Sequence, residues 1–146
     1  MKENFELTVI VPFYNEEKFF YKSVSELIKQ KFITEIILVN DASTDDSLRI
    51  ANEMLNQDER LSLINLKKNS GKGNAVKEAL KEVHTSHVIV HDADLEYDPK
   101  DISLMFNKLS QNKDCLILGS RTLGKRDNQN RYLITYIGNK YLTKLF

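Results

Sequence analysis

The stretch VIVHDADLEYDP, Val88–Pro99, joins an apolar run to a series of acidic residues that ends in an Asp-Pro dipeptide. Val88–Val90 are β-branched residues, which favour a strand. Asp98 is typical of a helix N-cap, and Pro99 suits the first helical position. A strand that leads through polar residues into a helix is the repeating unit of α/β proteins. The stretch therefore predicts an α/β fold with carboxylates at the end of a strand.

The acidic residues of this stretch lie at every second position from residue 92 to residue 98. In an extended chain, alternate side chains point to the same face, so these carboxylates would repel one another unless a cation lay between them. Asp98 is explained as a helix cap, whereas Asp92 and Asp94 are candidate metal ligands. Oxygen ligands without a set of Cys or His favour Mg²⁺ or Mn²⁺ over Zn²⁺.

The same alternation of strand and helix continues along the chain. Five apolar runs are separated by segments whose apolar residues follow helical spacing, which predicts a mainly parallel sheet with helices on both faces. Because the runs are almost continuously apolar, we expect their strands to be buried on both faces. The predicted strands are Leu7–Phe13, Glu35–Asn40, Leu61–Leu66, His87–Asp92 and Cys115–Ser120.

Four helices are predicted between these strands. The first follows the polar segment YNEEK, and the second follows the cap candidates Ser43 and Thr44. The third runs from Lys72 towards Val83, and the fourth begins after its cap, Asp98. A further amphipathic helix is predicted over residues 128–146. It suits either contact with a membrane surface or packing against additional protein, and the pattern does not distinguish the two.

Composition limits the class of protein. The 146 residues correspond to one domain, and Lys plus Arg equals Asp plus Glu at 21 each, which argues against nucleic acid as a partner. The single cysteine, Cys115, excludes an intramolecular disulfide and fits a reducing compartment. No signal peptide is recognised, and no apolar run reaches the roughly 18 residues of a membrane span. We therefore expect a cytoplasmic protein.

A polar cluster follows each predicted strand: YNEE, NDAS, NSGKGN, DADLE and GSR, in that order. Each cluster alone is explained by turns and helix caps, and NSGKGN matches neither a Walker loop nor a dinucleotide fingerprint. In open parallel sheets, however, ligands bind at the carboxyl ends of the strands. The clusters together therefore predict one binding site there, with Lys72 and Arg121 as candidate phosphate contacts. The three histidines are assigned structural roles.

The ordered set of VIVPFYNEE, ILVNDASTDDS, NSGKGNAV, HDADLEYDP and GSR resembles the family 2 glycosyltransferases, which have a GT-A (Rossmann-like) fold. Within that family the chain looks most like polyprenyl-phosphate glycosyltransferases of the dolichyl-phosphate mannose synthase type. The resemblance runs from Leu7 to Phe146. It implies that residues 1–146 are the nucleotide-sugar-binding part of a C-terminally truncated domain. Asn40 and Ala42 depart from the family pattern, which more often has Asp and Gly there.

The resemblance also implies an activity and its residues. The activity is metal-dependent, inverting transfer of a sugar from a GDP or UDP sugar to a lipid phosphate, with Mg²⁺ or Mn²⁺ as cofactor. Asp92 and Asp94 would form the catalytic DxD centre, and Glu96 would complete the metal site. The implied nucleotide-sugar-binding residues are Pro12, Tyr14, Asn15, Glu16, Asp41, Lys72, Asp92 and Arg121.

Two other functions fit the same residues. A truncated relative could bind the nucleotide sugar without catalysis, and a phosphotransferase could use paired aspartates, although it would not require YNEE and NDAS together. No general base for a hydroxyl acceptor is evident in the chain. A phosphomonoester acceptor needs none, because its second pKa of about 6 leaves it largely ionised at pH 7. This favours a polyprenyl phosphate as acceptor, which agrees with a protein at the cytoplasmic face of a membrane. The alternative is a base in the C-terminal part of the domain that, by the resemblance, follows Phe146.

Overall fold

Strands and helices alternate without exception through residues 5–109, the part of the chain that the structure, a computed structural model, describes. The chain divides into two units, and these residues belong to the first, Met1–Lys113. No helix within the described part is long and apolar enough to cross a membrane. The elements are β1 (Leu7–Phe13), α1 (Phe20–Ile28), β2 (Glu35–Asn40), α2 (Ser47–Met54), β3 (Leu61–Asn65), α3 (Lys72–Ala79), β4 (His87–Val90) and α4 (Pro99–Leu109).

The four strands form one parallel sheet in the order β3-β2-β1-β4. In β1, Ile10 lies opposite Ile37 of β2 and Val90 of β4. This confirms the predicted α/β class, and the bounds of β1 and β2 agree with those predicted from the sequence. The predicted fifth strand, Cys115–Ser120, and the predicted helix over residues 128–146 lie outside the described residues.

Helices cover both faces of the sheet, as predicted. One apolar cluster joins buried residues of α1, α2 and α4 to the face that carries Val9 and Leu38. On the other face, Ala75 and Ala79 of α3 pack against Ile10 and neighbouring residues of β2. Because every residue of β1 is buried, this strand is the centre of both apolar layers.

The expectation that all strands are buried on both faces is wrong for β3 and β4. Only Leu61 of β3 is fully buried, and in β4 the side chains of Val88 and Val90 remain 43% and 39% exposed. Each of these strands pairs with one other strand among the residues described, so less of the molecule packs against it. An apolar run therefore did not distinguish a central strand from an outer one.

The acidic stretch after β4 also differs from its prediction. The strand ends at Val90, so the residues from Asp92 onward are not in an extended strand with alternating faces. Leu95 has a positive φ of 63°, and the N–H of Glu96 donates to Oδ1 of Asp94 at 3.0 Å. These features form a tight turn, and the geometry of that turn positions the carboxylates.

Two predicted helix starts had different outcomes. Asp98 caps α4 as predicted, because its Oδ1 accepts a hydrogen bond from the N–H of Lys100 at 3.0 Å. The predicted caps Ser43 and Thr44 are wrong, since α2 begins only at Ser47. Both residues instead bond to the loop that follows β1, as described below.

Candidate functional site

Four loops meet at the carboxyl edge of the sheet, because all four strands are parallel. We name them loop A (residues 14–19, after β1), loop B (residues 41–46, after β2), loop C (residues 66–71, after β3) and loop D (residues 91–98, after β4). The first four polar clusters noted in the sequence lie in these loops, except that Asn40 ends β2 and residues 72–74 begin α3. The fifth cluster, with Arg121, lies outside the described residues.

Loops A and B are joined by hydrogen bonds in both directions. Oδ1 of Asn15 accepts from the N–H of Thr44 at 2.8 Å, while the N–H of Asn15 donates to Oγ of Ser43 at 3.1 Å. The N–H of Glu17 donates to Oδ2 of Asp45 at 3.1 Å. Asn15 has a φ of 55°, a conformation that Asn tolerates better than most residues. The side chain of Asn15 therefore has a structural role that the sequence did not reveal.

Loop C is held by Asp41 of loop B. The side chain of Asp41 is buried, with 3% of the residue exposed. Its two oxygens accept hydrogen bonds from the N–H groups of Ser70 at 2.9 Å and Gly71 at 2.8 Å. Asp41 thus fixes the chain immediately before α3. Its predicted contact with a nucleoside stays a prediction.

Loop D is reached by the first residue of α3. Nζ of Lys72 lies 2.5 Å from Oδ1 of Asp92, and the two side chains are 57% and 24% exposed. The sequence had predicted that a cation would be needed among the carboxylates. In the structure Lys72 supplies one.

Glu16 of loop A lies close to the same carboxylates. Partial burial raises the pKa of Glu16 above its usual range, and the negative charges of Asp94, Asp45 and Asp92 raise it further. Burial would also raise the pKa of Asp45, but hydrogen bonds from Ser47 outweigh this and lower it. The site therefore gathers several carboxylates from loops A, B and D around a single region of negative potential.

The chemistry of these donors fits a hard divalent cation only in part. Within residues 5–109, no three side chains of His, Cys, Asp or Glu are grouped closely enough to hold a metal ion by themselves. Asp92 and Asp94 nevertheless match the usual requirement of Mg²⁺, which takes one or two carboxylates and completes its shell with water and substrate phosphates. Glu96, the third predicted ligand, is an exposed residue of the same turn.

Pro12 and Tyr14 occupy the end of β1 and the start of loop A. Pro12 is buried in a central strand, where a missing N–H would normally break the ladder. The carbonyl oxygen of Ile10 accepts a hydrogen bond from the N–H of His91, on the side of β1 that faces β4. Backbone polar groups alternate in direction along a strand, so those of Pro12, two residues further on, point to this side as well, beyond the end of β4. The ladder to β2 is therefore intact. Tyr14 is 44% exposed and leaves an aromatic ring accessible at the carboxyl edge.

The histidines near the site are packed side chains. His91 is 3% exposed, and burial lowers its pKa although Asp92 and Asp94 act in the opposite direction. His87 lies at the other end of β4, with its ring centroid 5.2 Å from that of Phe5. Both positions agree with the structural roles assigned from the sequence.

The parallel sheet, the helices on both faces and the acidic carboxyl edge define an α/β protein of the GT-A type, a fold it shares with solved glycosyltransferases. The sequence profile described as Glycosyl transferase family 2 matches residues 8–145, and the chain belongs to that family.

Comparison with known proteins agrees with this assignment. The chain is 31% identical over 132 residues to dolichyl-phosphate beta-glucosyltransferase ALG5D of Trichomonas vaginalis, covering 82% of this chain and 40% of that protein. Its structure resembles the Pyrobaculum calidifontis mannosyltransferase PcManGT in complex with GDP-Man and Mn²⁺, with 28% identity, a TM-score of 0.57, and coverage of 60% of this chain and 27% of that one. It also resembles S. aureus TarS 1–349 in complex with UDP, with 32% identity, a TM-score of 0.59, and coverage of 70% and 32%. The chain thus spans less than half the length of each of these proteins.

Proposed function

We propose that the chain is the donor-binding part of a metal-dependent, inverting glycosyltransferase that passes a sugar from a GDP or UDP sugar to a polyprenyl phosphate. The observation that carries the proposal is the meeting of Glu16, Lys72, Asp92 and Asp94 at the carboxyl edge of a parallel sheet. Carboxylates beside an ammonium group suit a ligand that combines a diphosphate with a divalent cation. Family membership supports the sugar as the group transferred.

The roles of individual residues follow from their places in the loops. Asp92 and Asp94, with Glu96, would hold Mg²⁺ or Mn²⁺ together with the donor's phosphates. Lys72 would contact the diphosphate, and Arg121, outside the described residues, is proposed as a second phosphate contact. The residues proposed to line the nucleoside are Pro12, Tyr14, Asn15, Glu16 and Asp41, of which Tyr14 is well placed to stack on a base because its ring is exposed.

The chemistry requires stabilisation of a leaving group. Cleavage of the bond between sugar and phosphate leaves a nucleoside diphosphate with additional negative charge. A bound divalent cation supplies electrostatic stabilisation of that charge. Lys72 adds a positive charge at the same edge, and loops A and D orient the donor so that the acceptor attacks the opposite face of the sugar. A phosphate acceptor is already ionised, so no general base is required.

The proposed acceptor and location are supported by the names of similar proteins. The name of the Trichomonas protein specifies a dolichyl phosphate, which is a lipid. A lipid acceptor supports a position of the whole protein at a membrane, and we propose its cytoplasmic face, with residues 128–146 as the proposed surface contact. The nucleotides in the two similar structures, GDP-Man and UDP, support a donor of either type.

Donor binding is tested by thermal unfolding. With Mn²⁺ present, GDP or UDP at about 100 times its Kd should raise the Tm by roughly 5 °C or more. Asp94→Asn should abolish this rise without loss of the fold, because the amide is a poor metal ligand. Glu53→Gln, which also converts a carboxylate to an amide but on an exposed face of α2, should leave the rise intact. If neither nucleotide shifts the Tm of the natural chain, the proposed donor binding is wrong.

A non-catalytic nucleotide-sugar-binding fragment is the second candidate, favoured by the fact that the chain covers only 40% of the Trichomonas relative. Transfer of radiolabelled sugar from GDP-mannose or UDP-glucose to a polyprenyl phosphate separates the two. Labelled lipid formed by the chain alone would exclude the non-catalytic function. Nucleotide binding without labelled lipid would favour it.

A further inference from the structure

Lys72 connects the buried support of the site to its exposed acidic surface. The residue before it, Gly71, donates a hydrogen bond from its N–H to the carboxylate of Asp41, a residue that is only 3% exposed. The ammonium group at the other end of the side chain lies against Asp92 and is more than half exposed. The backbone of Lys72 is therefore fixed, whereas its charged end can move through solvent.

The surrounding charges explain why a cation is needed at this point. Partial burial raises the pKa of Glu16, and the negative charges of Asp94, Asp45 and Asp92 raise it further, so carboxylates repel one another at this point. An ammonium group on Asp92 reduces this repulsion in the donor-free protein. A divalent cation on Asp92 would in turn repel the ammonium group, since like charges a few ångströms apart are costly even near the surface. Lys72 and a divalent cation would therefore compete for Asp92.

We propose that Lys72 is the resident counter-cation of the acidic site, which neutralises Asp92 until a divalent cation replaces it and then contacts the diphosphate of the donor. This inference rests on the proposed function for the identity of the ligand, but not for the exchange on Asp92 itself. The flexible four-carbon stem of lysine allows such a movement without displacement of the backbone. The acidic loop is thus kept close to its binding geometry before the donor arrives.

The test compares Lys72→Met with Lys81→Met. Lys81 is a matched control, because its side chain is also 57% exposed and its Nζ also lies 2.5 Å from a carboxylate, that of Glu78. Mn²⁺ binding is measured by calorimetry first without nucleotide and then with GDP or UDP. Loss of the competing ammonium group should make Lys72→Met bind Mn²⁺ alone about two- to fivefold more tightly, the range expected for an exposed ion pair.

When the nucleotide is present, Lys72→Met should have the opposite effect on affinity. Without the contact from Lys72 to the diphosphate, Lys72→Met should bind the nucleotide with Mn²⁺ at least about threefold more weakly, the loss expected of one charge-assisted contact. Lys81→Met should match the natural chain in both titrations, and Lys72→Arg, which keeps the charge, should not gain affinity for Mn²⁺ alone. Unchanged or weaker binding of Mn²⁺ alone by Lys72→Met would overturn the proposal. Tighter metal binding with unchanged nucleotide binding would overturn its second step.

A direct measurement follows the ammonium group itself. In nitrogen NMR of the lysine side chains, titration with Mg²⁺ should shift the resonance of Lys72 as its pairing with Asp92 is lost, whereas that of Lys81 should remain in place. A Lys72 resonance that does not respond while Mg²⁺ binds would refute the exchange. Failure of GDP and UDP to bind would refute the proposed function alone, because the metal titration and the NMR measurement need no nucleotide.

Discussion

The raised pKa of Glu16 reflects both its burial and the negative charge of the site. Its carboxyl group is partly buried and faces the negative charges of Asp94, Asp45 and Asp92. The sequence placed Glu16 in the motif YNEE and predicted its general location. It did not show which carboxylates would lie near Glu16, because they belong to loops B and D, which are two and six elements further along the chain.

The pH dependence of stability tests this description of Glu16. A carboxyl pKa raised by folding means that the folded state favours the protonated form. Its stabilising contribution is complete below the ordinary value of 4.5 and is lost as the pH rises through the raised pKa. At pH 7 the ionised group therefore destabilises the fold, and Glu16→Gln should raise the Tm at pH 7 but not at pH 4.

The control for this prediction is Glu82→Gln, at an exposed position after α3. Its Tm should equal that of the natural chain at both pH values. A lower Tm for Glu16→Gln at pH 7 would contradict the raised pKa and indicate that the ionised carboxylate makes a stabilising contact.

Loop C is the element whose conformation was least evident from the sequence. The sequence NSGKGN is compatible with a simple turn, because both Gly71 and Gly73 tolerate a positive φ. In the structure only Gly71 has a positive φ, 85° with ψ 158°, a region that residues with a Cβ rarely adopt. Gly73 lies in the first turn of α3 with ordinary helical geometry.

Alanine substitutions distinguish the two glycines. Gly71→Ala should lower the free energy of unfolding by about 1–3 kcal/mol, because the cost is backbone strain and no atom lies within 4 Å of the added Cβ. Gly73→Ala should raise it by about 0.5–1 kcal/mol, because alanine favours the helix. Urea unfolding measures both. Equal effects at the two positions would contradict the described conformation of loop C.

At the scale of the whole molecule, the stabilising contacts of Arg60 and the candidate binding site lie at opposite ends of the parallel strands. Arg60, before β3, is 17% exposed and pairs with Asp58. Its guanidinium group also donates to three carbonyl oxygens that follow the end of α1 or lie within its last turn, those of Ile28 at 2.5 Å, Ile33 at 2.9 Å and Gln30 at 3.0 Å. This arrangement holds α1 against the sheet at the edge away from loops A to D.

Arg60→Lys should therefore lower global stability without changing the site. An ammonium group cannot reproduce the planar set of donors, so we expect a loss of about 1–3 kcal/mol in urea unfolding. Arg49→Lys, at an exposed pair of salt bridges on α2, should leave the free energy of unfolding almost unchanged, because solvent screens such pairs. Both variants should keep the rise in Tm with nucleotide and Mn²⁺. Loss of that rise in Arg60→Lys alone would show that the two edges are coupled.

The sequence by itself determined the features that depend on neighbouring residues. Apolar β-branched runs specified β1 and β2, and Asp98 with Pro99 specified the start of α4, because strand propensity and helix capping depend on adjacent residues. The ordered polar clusters were sufficient to indicate the family, which the profile match confirms.

Only the tertiary structure decided how the clusters are joined. Asn15 bonds to Thr44, Asp41 bonds to Gly71, and Lys72 pairs with Asp92, although the partners are far apart in the sequence. These contacts depend on the strand order β3-β2-β1-β4 and on its register, which bring separate loops to one edge. No local pattern encodes that order, because burial of the apolar faces of several elements together determines it.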